Sequence, residues 1–296
     1  MGKFSKAMGK DEAASAAPPA SDAKSSEEKM PPPPVNEGKK SQSRVVEKST
    51  PKRAKQTVRI KKKDRDSVSK SLVTVVDPDS IMSEQFRLLK NNILFPEKGT
   101  APRSIMITSP SPNEGKSFVA ANLAVSIAKS IDEFVLLMDC DLRAPAIHEL
   151  FNIDGARGLS DYLASGIPIP DLLAKTFFEK LTILPGGTIP HNPSELLSSE
   201  QMRRLLSELK TRYTDRYIIV DAPPPHIASE TNAIARIVDG IIIVVRQGKT
   251  RKKNVENLID IYGRDKIIGV IKNFSKKEPF SGNNYYNQYR YYRSNA

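Results

Sequence analysis

A Gly-Lys-Ser triplet closes the segment SPSPNEGKS at residues 109–117. Gly115 would let the backbone approach a phosphate closely, and successive N–H groups of such a loop create positive potential. Lys116 would reach the β and γ phosphates of a nucleotide, and the Ser117 hydroxyl would bind Mg²⁺. The full pattern G-x-x-x-x-G-K-S is not met, because Pro110 occupies the first glycine position. The alternative interpretation is an ordinary turn between a strand and a helix.

Acidic side chains follow two apolar runs later in the chain. Asp139 and Asp141 come after VLLM, and Asp221 comes after YIIV. Two carboxylates two residues apart repel each other unless a cation holds them, and Mg²⁺ and Arg143 are the candidates. Asp221 completes a Walker B pattern, whose carboxylate reaches Mg²⁺ directly or through water. Helix capping is the alternative for a single aspartate. The loop at residues 109–117 and these two acidic segments together predict one shared Mg-ATP site.

These candidate sites need elements that bring them together. From residue 103 onward, short apolar runs alternate with helical patterns. The runs predict strands buried on both faces at residues 104–108, 133–138, 181–184, 217–220, 240–245 and 267–271. The patterns predict helices that include residues 83–93, 116–129, 194–211 and 252–262. Because parallel strands need crossover connections, the alternation predicts an α/β fold with a mainly parallel sheet flanked by helices. Ligands of such sheets bind beyond the carboxyl ends of the strands, where the three candidate sites lie.

The chain divides into three parts by composition. Residues 1–70 are rich in Ala, Ser, Pro, Lys and Glu and nearly lack aromatic residues, so we predict a disordered segment. A folded domain is predicted for residues 71–274 and a flexible tail for residues 275–296. The formal net charge is +12. Its excess lies mainly in the first part, which favours a solvated linker, with weak attraction to an anionic membrane surface as the alternative.

Several classes of protein are disfavoured by the sequence. The single cysteine excludes a framework of disulfides within the chain. The longest apolar run, at residues 241–245, is far shorter than the roughly 18 residues of a membrane span. The first ten residues lack the apolar stretch of a secretory signal, and Lys6 stands where a myristoylation site needs Ser or Thr. Since the basic excess lies in a tail rather than on a folded face, nucleic-acid binding is not expected. These features predict a cytoplasmic protein.

Taken together, the motifs resemble those of the bacterial tyrosine kinases that govern capsule and exopolysaccharide assembly. The resemblance covers about residues 75–296. The family's loop S-x-x-P-G-E-G-K-S/T matches residues 109–117, with Asn113 in place of one glycine. Its D-x-D-x-R element, called Walker A′, matches the segment that begins at Asp139, and its D-x-P-P element matches the segment that begins at Asp221. The resemblance implies a P-loop NTPase fold of the MinD/ParA-like branch, with a deviant Walker A loop, ATP as substrate and Mg²⁺ as cofactor.

The resemblance also implies a set of site residues. Catalytic roles fall to Lys116, Asp139, Asp141 and Arg143, with Asp139 as the candidate that orients the tyrosine hydroxyl and accepts its proton. Nucleotide contacts are expected from Pro112, Asn113, Glu114, Gly115, Lys116, Ser117, Phe118 and Asn273. Mg²⁺ ligands are expected among Ser117, Asp139, Asp141 and Asp221. In related ATPases the asparagine matched by Asn273 lies near the adenine, and a simple turn asparagine is the alternative.

A helix near the start of the predicted domain carries a further resemblance. Glu84, Arg87 and Lys90 resemble the family's E-x-x-R-x-x-R helix, which packs subunits into a ring. Lys90 is a departure, because lysine does not reproduce the planar bidentate grip of arginine. A solvated helix face is the alternative. The resemblance therefore implies a homo-oligomer, and also a membrane-embedded polysaccharide chain-length protein that activates the kinase.

The last twelve residues hold five of the nine tyrosines, which are Tyr285, Tyr286, Tyr289, Tyr291 and Tyr292. In the family such a tail is the phosphorylation substrate, so the resemblance implies an autokinase that modifies this cluster in trans. A sticky low-complexity end and an RNA-stacking segment are alternatives. A switch ATPase of the MinD/ParA type is a rival function, although its second lysine is replaced here by Ser111. An inactive scaffold is the third hypothesis.

Overall fold

The computed structural model describes residues 67–154, 157–212, 215–225 and 230–275. The predictions for most of the N-terminal segment and for the five tail tyrosines fall outside these ranges. Val68 is buried in the core, and the Ser69 N–H donates to the Leu150 carbonyl at 3.1 Å. The packed part of the chain therefore includes residues shortly before the predicted boundary at residue 71.

Seven strands form one sheet in the order β3-β4-β2-β5-β1-β6-β7. They are β1 Ser104–Thr108, β2 Phe134–Asp139, β3 Ala174–Lys175, β4 Leu181–Leu184, β5 Arg216–Asp221, β6 Gly240–Arg246 and β7 Ile267–Asn273. Every neighbouring pair is parallel except the antiparallel pair of β3 with β4. The predicted mainly parallel sheet is confirmed, and all six predicted strands are present. The short β3 was not predicted.

Ten α-helices and a short 3₁₀ helix at Arg264–Lys266 connect or cover these strands in the described part of the chain. The α-helices are α1 Val73–Val76, α2 Ile81–Leu94, α3 Lys116–Ala128, α4 Ile147–Leu150, α5 Leu159–Ser165, α6 Ile169–Leu172, α7 Pro193–Leu197, α8 Glu200–Arg212, α9 Thr231–Ile237 and α10 Lys252–Tyr262. The prediction of one helix over residues 194–211 was wrong. The Ser199 hydroxyl accepts the Met202 N–H at 3.1 Å, so a new helix starts there.

Alternating side chains of the central strands build two apolar layers. Ile105 and Ile107 of β1 lie in the layer that includes buried residues of α2 and α3. Met106 of the same strand lies in the layer that includes buried residues of α8, α9 and α10. All five residues of β1 are buried, as a strand covered on both faces requires. No helix within the described ranges is long and apolar enough to cross a membrane.

The edge strand β7 differs from its prediction. Ile268 is 39% exposed and Val270 is 48% exposed, so burial on both faces was a wrong prediction for this strand. Among the described strands β7 pairs only with β6, and its burial alternates between half-buried and exposed positions. An apolar run does not reveal whether a strand lies at the centre or at the edge of a sheet.

Candidate nucleotide and metal site

The candidate site lies where β1, β2 and β5 end side by side. Asp139 at the end of β2 is in register with Asp221 at the end of β5. Asp221 is also in register with Ile107, the next-to-last residue of β1. Parallel strands end at the same edge of a sheet, so the loop after β1 and the carboxylates after β2 and β5 meet there.

The loop at residues 109–117 joins β1 to the N-terminus of α3. Gly115 has φ +90°, and a Cβ at this position would overlap the side-chain amide nitrogen of Asn273. That nitrogen donates to the Glu114 carbonyl at 3.0 Å. The tip of β7 therefore supports the loop from outside, and only glycine fits at residue 115. Asn113 is exposed and also has positive φ, +60°.

The Glu114 side chain is used inside the loop rather than for a nucleotide contact. It is 3% exposed. One carboxylate oxygen accepts the Ser111 N–H at 3.1 Å, and the other accepts the hydroxyl of Thr250 from the loop after β6. Any contact of Glu114 with phosphate would therefore come from its backbone N–H. Carboxylate bonds of this kind fix the loop before a ligand arrives.

Two other residues predicted to contact the nucleotide, Pro112 and Phe118, differ in their exposure to solvent. Pro112 is exposed. Phe118 is half-buried on α3, and its ring packs edge-on against Phe86 of α2, with the ring centroids 5.8 Å apart. The ring thus belongs to the apolar layer, which leaves the backbone N–H of Phe118 in the first turn of α3 as its available donor.

Lys116, which follows β1, is paired with a carboxylate that follows β2, two strands away in the sheet. Its ammonium nitrogen lies 2.7 Å from Oδ2 of Asp141 and 3.4 Å from the Ser117 hydroxyl oxygen. Burial favours the neutral amine, but the carboxylates of Asp221 and Asp141 outweigh it and raise the pKa of Lys116. The lysine is therefore charged and held at the mouth of the loop.

Asp139 holds the turn that carries Asp141. It is fully buried; Oδ1 accepts the Asp141 N–H at 3.1 Å, and Oδ2 accepts the N–H groups of Ala146 and Ile147 at 2.9 and 3.0 Å. Burial and the nearby Asp221 raise the pKa of Asp139 to about 8, although the two backbone donors to Oδ2 oppose this. Its expected roles as metal ligand and proton acceptor stay predictions.

Asp221 is a buried carboxylate that lacks a hydrogen-bond donor. The residue has no exposed surface, and within the described ranges neither carboxylate oxygen accepts a hydrogen bond of normal geometry. Burial raises the pKa of Asp221 to about 6, against the charge of Lys116 and the nearby Ser117 hydroxyl. An unpaired buried carboxylate is costly, so this position suits a cation.

Mg²⁺ fits this position. It prefers oxygen ligands and is usually held by one or two carboxylates, with phosphates and waters completing its shell. Asp221, the Ser117 hydroxyl and the nearby Asp141 supply such oxygens. Among the described residues, no group of three His, Cys, Asp or Glu side chains forms a complete metal cage. Because phosphates and waters usually complete the shell of Mg²⁺, these oxygens suit an ion that arrives with a nucleotide.

The structure corrects the hypothesis for Arg143. Its guanidinium donates to the Ser194 hydroxyl at 2.6 Å and to Oε1 of Glu230 at 3.3 Å. Glu230 has no exposed side-chain surface. Of the two candidate cations, Mg²⁺ and Arg143, the arginine forms no ion pair with Asp139 or Asp141 among the described residues, and Lys116 pairs with Asp141 instead. The expected catalytic role of Arg143 stays a prediction. Glu230 was missed, since a lone acidic residue before a helix looks like any first-turn charge.

The expected oligomerisation residues lie together on α2. Arg87 forms an ion pair with Glu84 and also donates to the Pro78 carbonyl. Burial and the charge of Arg87 lower the pKa of Lys90. Within one chain these residues thus form a local cluster on the helix.

Comparison with known proteins decides the family. Residues 105–283 match the CobQ/CobB/MinD/ParA nucleotide-binding domain. The tyrosine-protein kinase YwqD of Bacillus subtilis is 34% identical over 228 residues, which cover 76% of this chain and 95% of that protein. The chain belongs to the bacterial tyrosine kinase family. The predicted P-loop NTPase fold of the MinD/ParA-like branch is confirmed by the same matches.

Solved structures of bacterial tyrosine kinases agree with this assignment. The chimerical protein CapA2B2 aligns with a TM-score of 0.63 and 33% identity, covering 70% of this chain and 91% of that one. The kinase domain of Escherichia coli ETK aligns with a TM-score of 0.62 and 30% identity, covering 70% and 82%. The described domain of this bacterial tyrosine kinase is thus the part shared with its relatives.

Proposed function

We propose that this chain is an ATP-dependent protein-tyrosine kinase that phosphorylates the tyrosine cluster at residues 285–292 of a neighbouring copy. Kinase activity toward tyrosine follows from membership of the family. The observation that supports the chemistry is the convergence of Lys116, Asp141 and Asp221 at three neighbouring strand tips. Five tyrosines in one polar segment supply the substrate.

Positioning and charge neutralisation carry most of phosphoryl transfer. Backbone N–H groups of residues 113–117 and the ammonium of Lys116 would hold the phosphates of ATP. Ser117 and Asp221, with Asp141 close by, would hold Mg²⁺, which supplies charge neutralisation on the phosphate oxygens. The tyrosine oxygen forms a bond to the γ-phosphorus while the bond from that phosphorus to the bridging oxygen breaks. The products are phosphotyrosine and ADP.

Asp139 is the proposed acceptor of the tyrosine proton. A pKa raised to about 8 by burial and by Asp221 suits a group that takes up a proton near neutral pH. Its oxygens already accept three backbone N–H groups. The tyrosine hydroxyl would therefore have to use a remaining lone pair, which a carboxylate retains.

The kinase is proposed to act in the cytoplasm, next to a membrane, in the control of capsule or exopolysaccharide synthesis and export. A membrane-embedded polysaccharide chain-length protein is the proposed activator. Copies of the chain would form a ring through Glu84, Arg87 and Lys90. Each added phosphate brings nearly two negative charges into the tail, so we expect phosphorylation to weaken its docking on the adjacent subunit and to loosen the ring.

A mixing experiment tests transfer between copies. The donor is the full chain with all five tail tyrosines changed to Phe, and the acceptor is the full chain with Lys116→Met. With Mg-ATP, mass spectrometry should find phosphate on the C-terminal peptide of the acceptor. Wild-type protein that forms no tyrosine phosphate would refute the kinase assignment. Phosphate on wild type but none on the acceptor would refute transfer in trans. ATP turnover measured in parallel separates a kinase from a switch ATPase or an inactive scaffold.

A further inference from the structure

A strongly basic segment, called the basic loop, runs from the last residue of β6 into the first turn of α10. Residues 246–254 read RQGKTRKKN and contain five cationic side chains and no acidic one. Lys249, Arg251, Lys252 and Lys253 are exposed, and Arg246 is half-buried. The predicted site residues include none of these five. The question is which anion this loop receives.

The loop lies beside the nucleotide loop. Its Thr250 hydroxyl donates to the Glu114 carboxylate, which shapes the segment before Gly115. β6, from which the loop emerges, is the direct neighbour of β1. The cations therefore lie at the same edge of the sheet as the candidate active site, on the side toward β7.

Among the described residues, few carboxylates neutralise the cationic side chains of the basic loop. Lys252 pairs with Glu256 one turn further along α10, with the two atoms 3.3 Å apart. In the part of the chain that the structure describes, no carboxylate forms an ion pair with Lys249, Arg251 or Lys253. Exposed cations are well solvated, so charge alone does not require a ligand. What distinguishes this loop is the segment that starts next to it.

The C-terminal tail starts in contact with the basic loop. The Gln247 N–H donates to the Asn273 carbonyl at 2.9 Å. The next residue, Phe274, has φ +56°, and the guanidinium of Arg246 lies 4.4 Å from the centre of its ring. The chain thus enters residues 275–296 from a point fixed against the loop.

Phosphorylation changes the sign of the force between the loop and the tail. Before modification, residues 275–296 contain Lys276, Lys277, Arg290 and Arg293 against Glu278, so four positive charges less one negative charge leave +3. The loop repels such a segment. Each phosphotyrosine contributes about −1.5 to −2 charges at neutral pH, so roughly two phosphates cancel the tail charge and further ones reverse it.

We propose that Lys249, Arg251 and Lys253 form a binding site for phosphotyrosine, and that its ligand is the phosphorylated tail of the same chain. The inference rests on the proposed function, which supplies the phosphates. Tyr285 is twelve positions after Asn273, a reach of up to about 40 Å when extended. Because the tail is tethered next to the loop, its effective concentration is on the order of millimolar, which favours the chain's own tail over a free anion.

The proposed site would bind the tail after it has been phosphorylated. A tail held by its own chain is no longer presented to the active site of a neighbour. The unmodified tail is repelled by the loop and stays available as substrate. Phosphorylation would therefore both weaken the contact with the neighbour and create one within the chain.

Direct binding tests the proposal. The probe is a fluorescent synthetic peptide of residues 281–296, prepared with phosphate on all five tyrosines or on none. The protein is the full chain with its five tail tyrosines changed to Phe, so that its own tail carries no phosphate. Fluorescence anisotropy should show the phosphopeptide binding at least roughly tenfold more tightly than the plain peptide, and less tightly as salt rises.

Charge-neutralised variants locate the site. Lys249→Gln, Arg251→Gln and Lys253→Gln together should weaken phosphopeptide binding by roughly tenfold or more. The matched control removes three exposed lysines elsewhere, Lys70, Lys98 and Lys175, and should change the affinity by less than about twofold. Equal loss in both triple variants would overturn the proposal, because it would show only a general effect of net charge. An unchanged affinity in the loop variant would also overturn it.

A vesicle measurement separates the tail from a membrane as the anion. If the loop variant loses binding to phosphatidylserine vesicles but keeps its affinity for the phosphopeptide, the loop is a membrane contact and the proposal is wrong. Because the peptide is phosphorylated by synthesis, these results do not depend on kinase activity. Absence of tyrosine phosphate with Mg-ATP would refute the proposed function, whereas loop-independent binding would refute this inference alone.

Discussion

The ammonium nitrogen of Lys116 lies 2.7 Å from Oδ2 of Asp141, and both side chains are largely buried. The cation expected to grip the phosphates is therefore held in place by a carboxylate that follows β2, on the far side of β5 from β1. Asp221, at the end of β5, also raises the pKa of Lys116 and so stabilises its charged form. The arrangement keeps a buried lysine charged and positioned before ATP arrives, which reduces the reorganisation needed during transfer.

Lys116→Met should abolish tail phosphorylation and also destabilise the nucleotide-free protein. Removal of one partner of a buried ion pair leaves the other charge uncompensated, at a cost of about 3 kcal/mol. Urea unfolding followed by circular dichroism measures this cost. Adding Asp141→Asn to the variant should recover part of the lost free energy of unfolding. If the double variant were less stable than Lys116→Met alone, the ion pair would not be the cause.

Gly115→Ala should weaken Mg-ATP binding by at least roughly tenfold, because its Cβ would overlap Asn273 and displace the loop. Gly99→Ala is the matched control. It has a similar positive φ, +78°, but open space around its Cβ, so it carries the backbone strain of about 1 kcal/mol without the overlap. Titration calorimetry of both variants checks this. Comparable losses of affinity would point to strain rather than to the contact with β7.

Arg143 and Glu230 should show coupling in a double-mutant cycle. Arg143→Ala leaves the buried Glu230 carboxylate without its cation, whereas the further change Glu230→Gln removes the charge that needs one. We expect a coupling energy of about 1 kcal/mol or more in the free energy of unfolding. Additive effects of the two substitutions would show that the 3.3 Å contact contributes nothing.

Stability of the nucleotide-free protein should fall as pH rises from about 5 to 8. The folded-state pKa values of Asp139, about 8, and Asp221, about 6, both exceed the ordinary value of 3.8. The folded protein therefore binds more protons than the unfolded chain in this range, and a rise in pH favours unfolding. Guanidinium unfolding at several pH values measures the slope. Asp139→Asn should make it shallower, and an unchanged slope would contradict the assignment.

Glu84→Ala with Arg87→Ala should lower the mass of the assembled protein in sedimentation analysis, since these residues are proposed to join subunits. The control is Glu200→Ala with Arg203→Ala, which removes an exposed ion pair of the same i, i+3 spacing from α8. Such exposed pairs contribute little to folding, so both variants should remain folded. A similar loss of mass in both double variants would show that α2 has no special role in assembly.

The sequence predicted the sheet and the gathering of the carboxylates because both depend on local patterns. Asp139, Asp141 and Asp221 each follow an apolar run, and strand tips of a parallel sheet share one edge. The break between α7 and α8 was also readable in principle, since Ser199 before Glu200 is a helix-start signal. It was outweighed by the longer helical period on both sides.

Contacts between distant loops were not predictable in the same way. The partner of Arg143 depends on where Ser194 and Glu230 come to lie, and no spacing in the sequence encodes that. The exposure of Ile268 and Val270 depends on the position of β7 at the sheet edge. Pairing order is a property of the whole fold rather than of an apolar run.

The hydrogen bond from Asn273 to the Glu114 carbonyl joins residues 159 positions apart. During synthesis, the phosphate loop therefore leaves the ribosome long before the strand that braces it. Its final shape must wait until the seventh strand has emerged and docked beside the sixth. We therefore expect a growing chain to lack a finished phosphate loop until this last strand has docked.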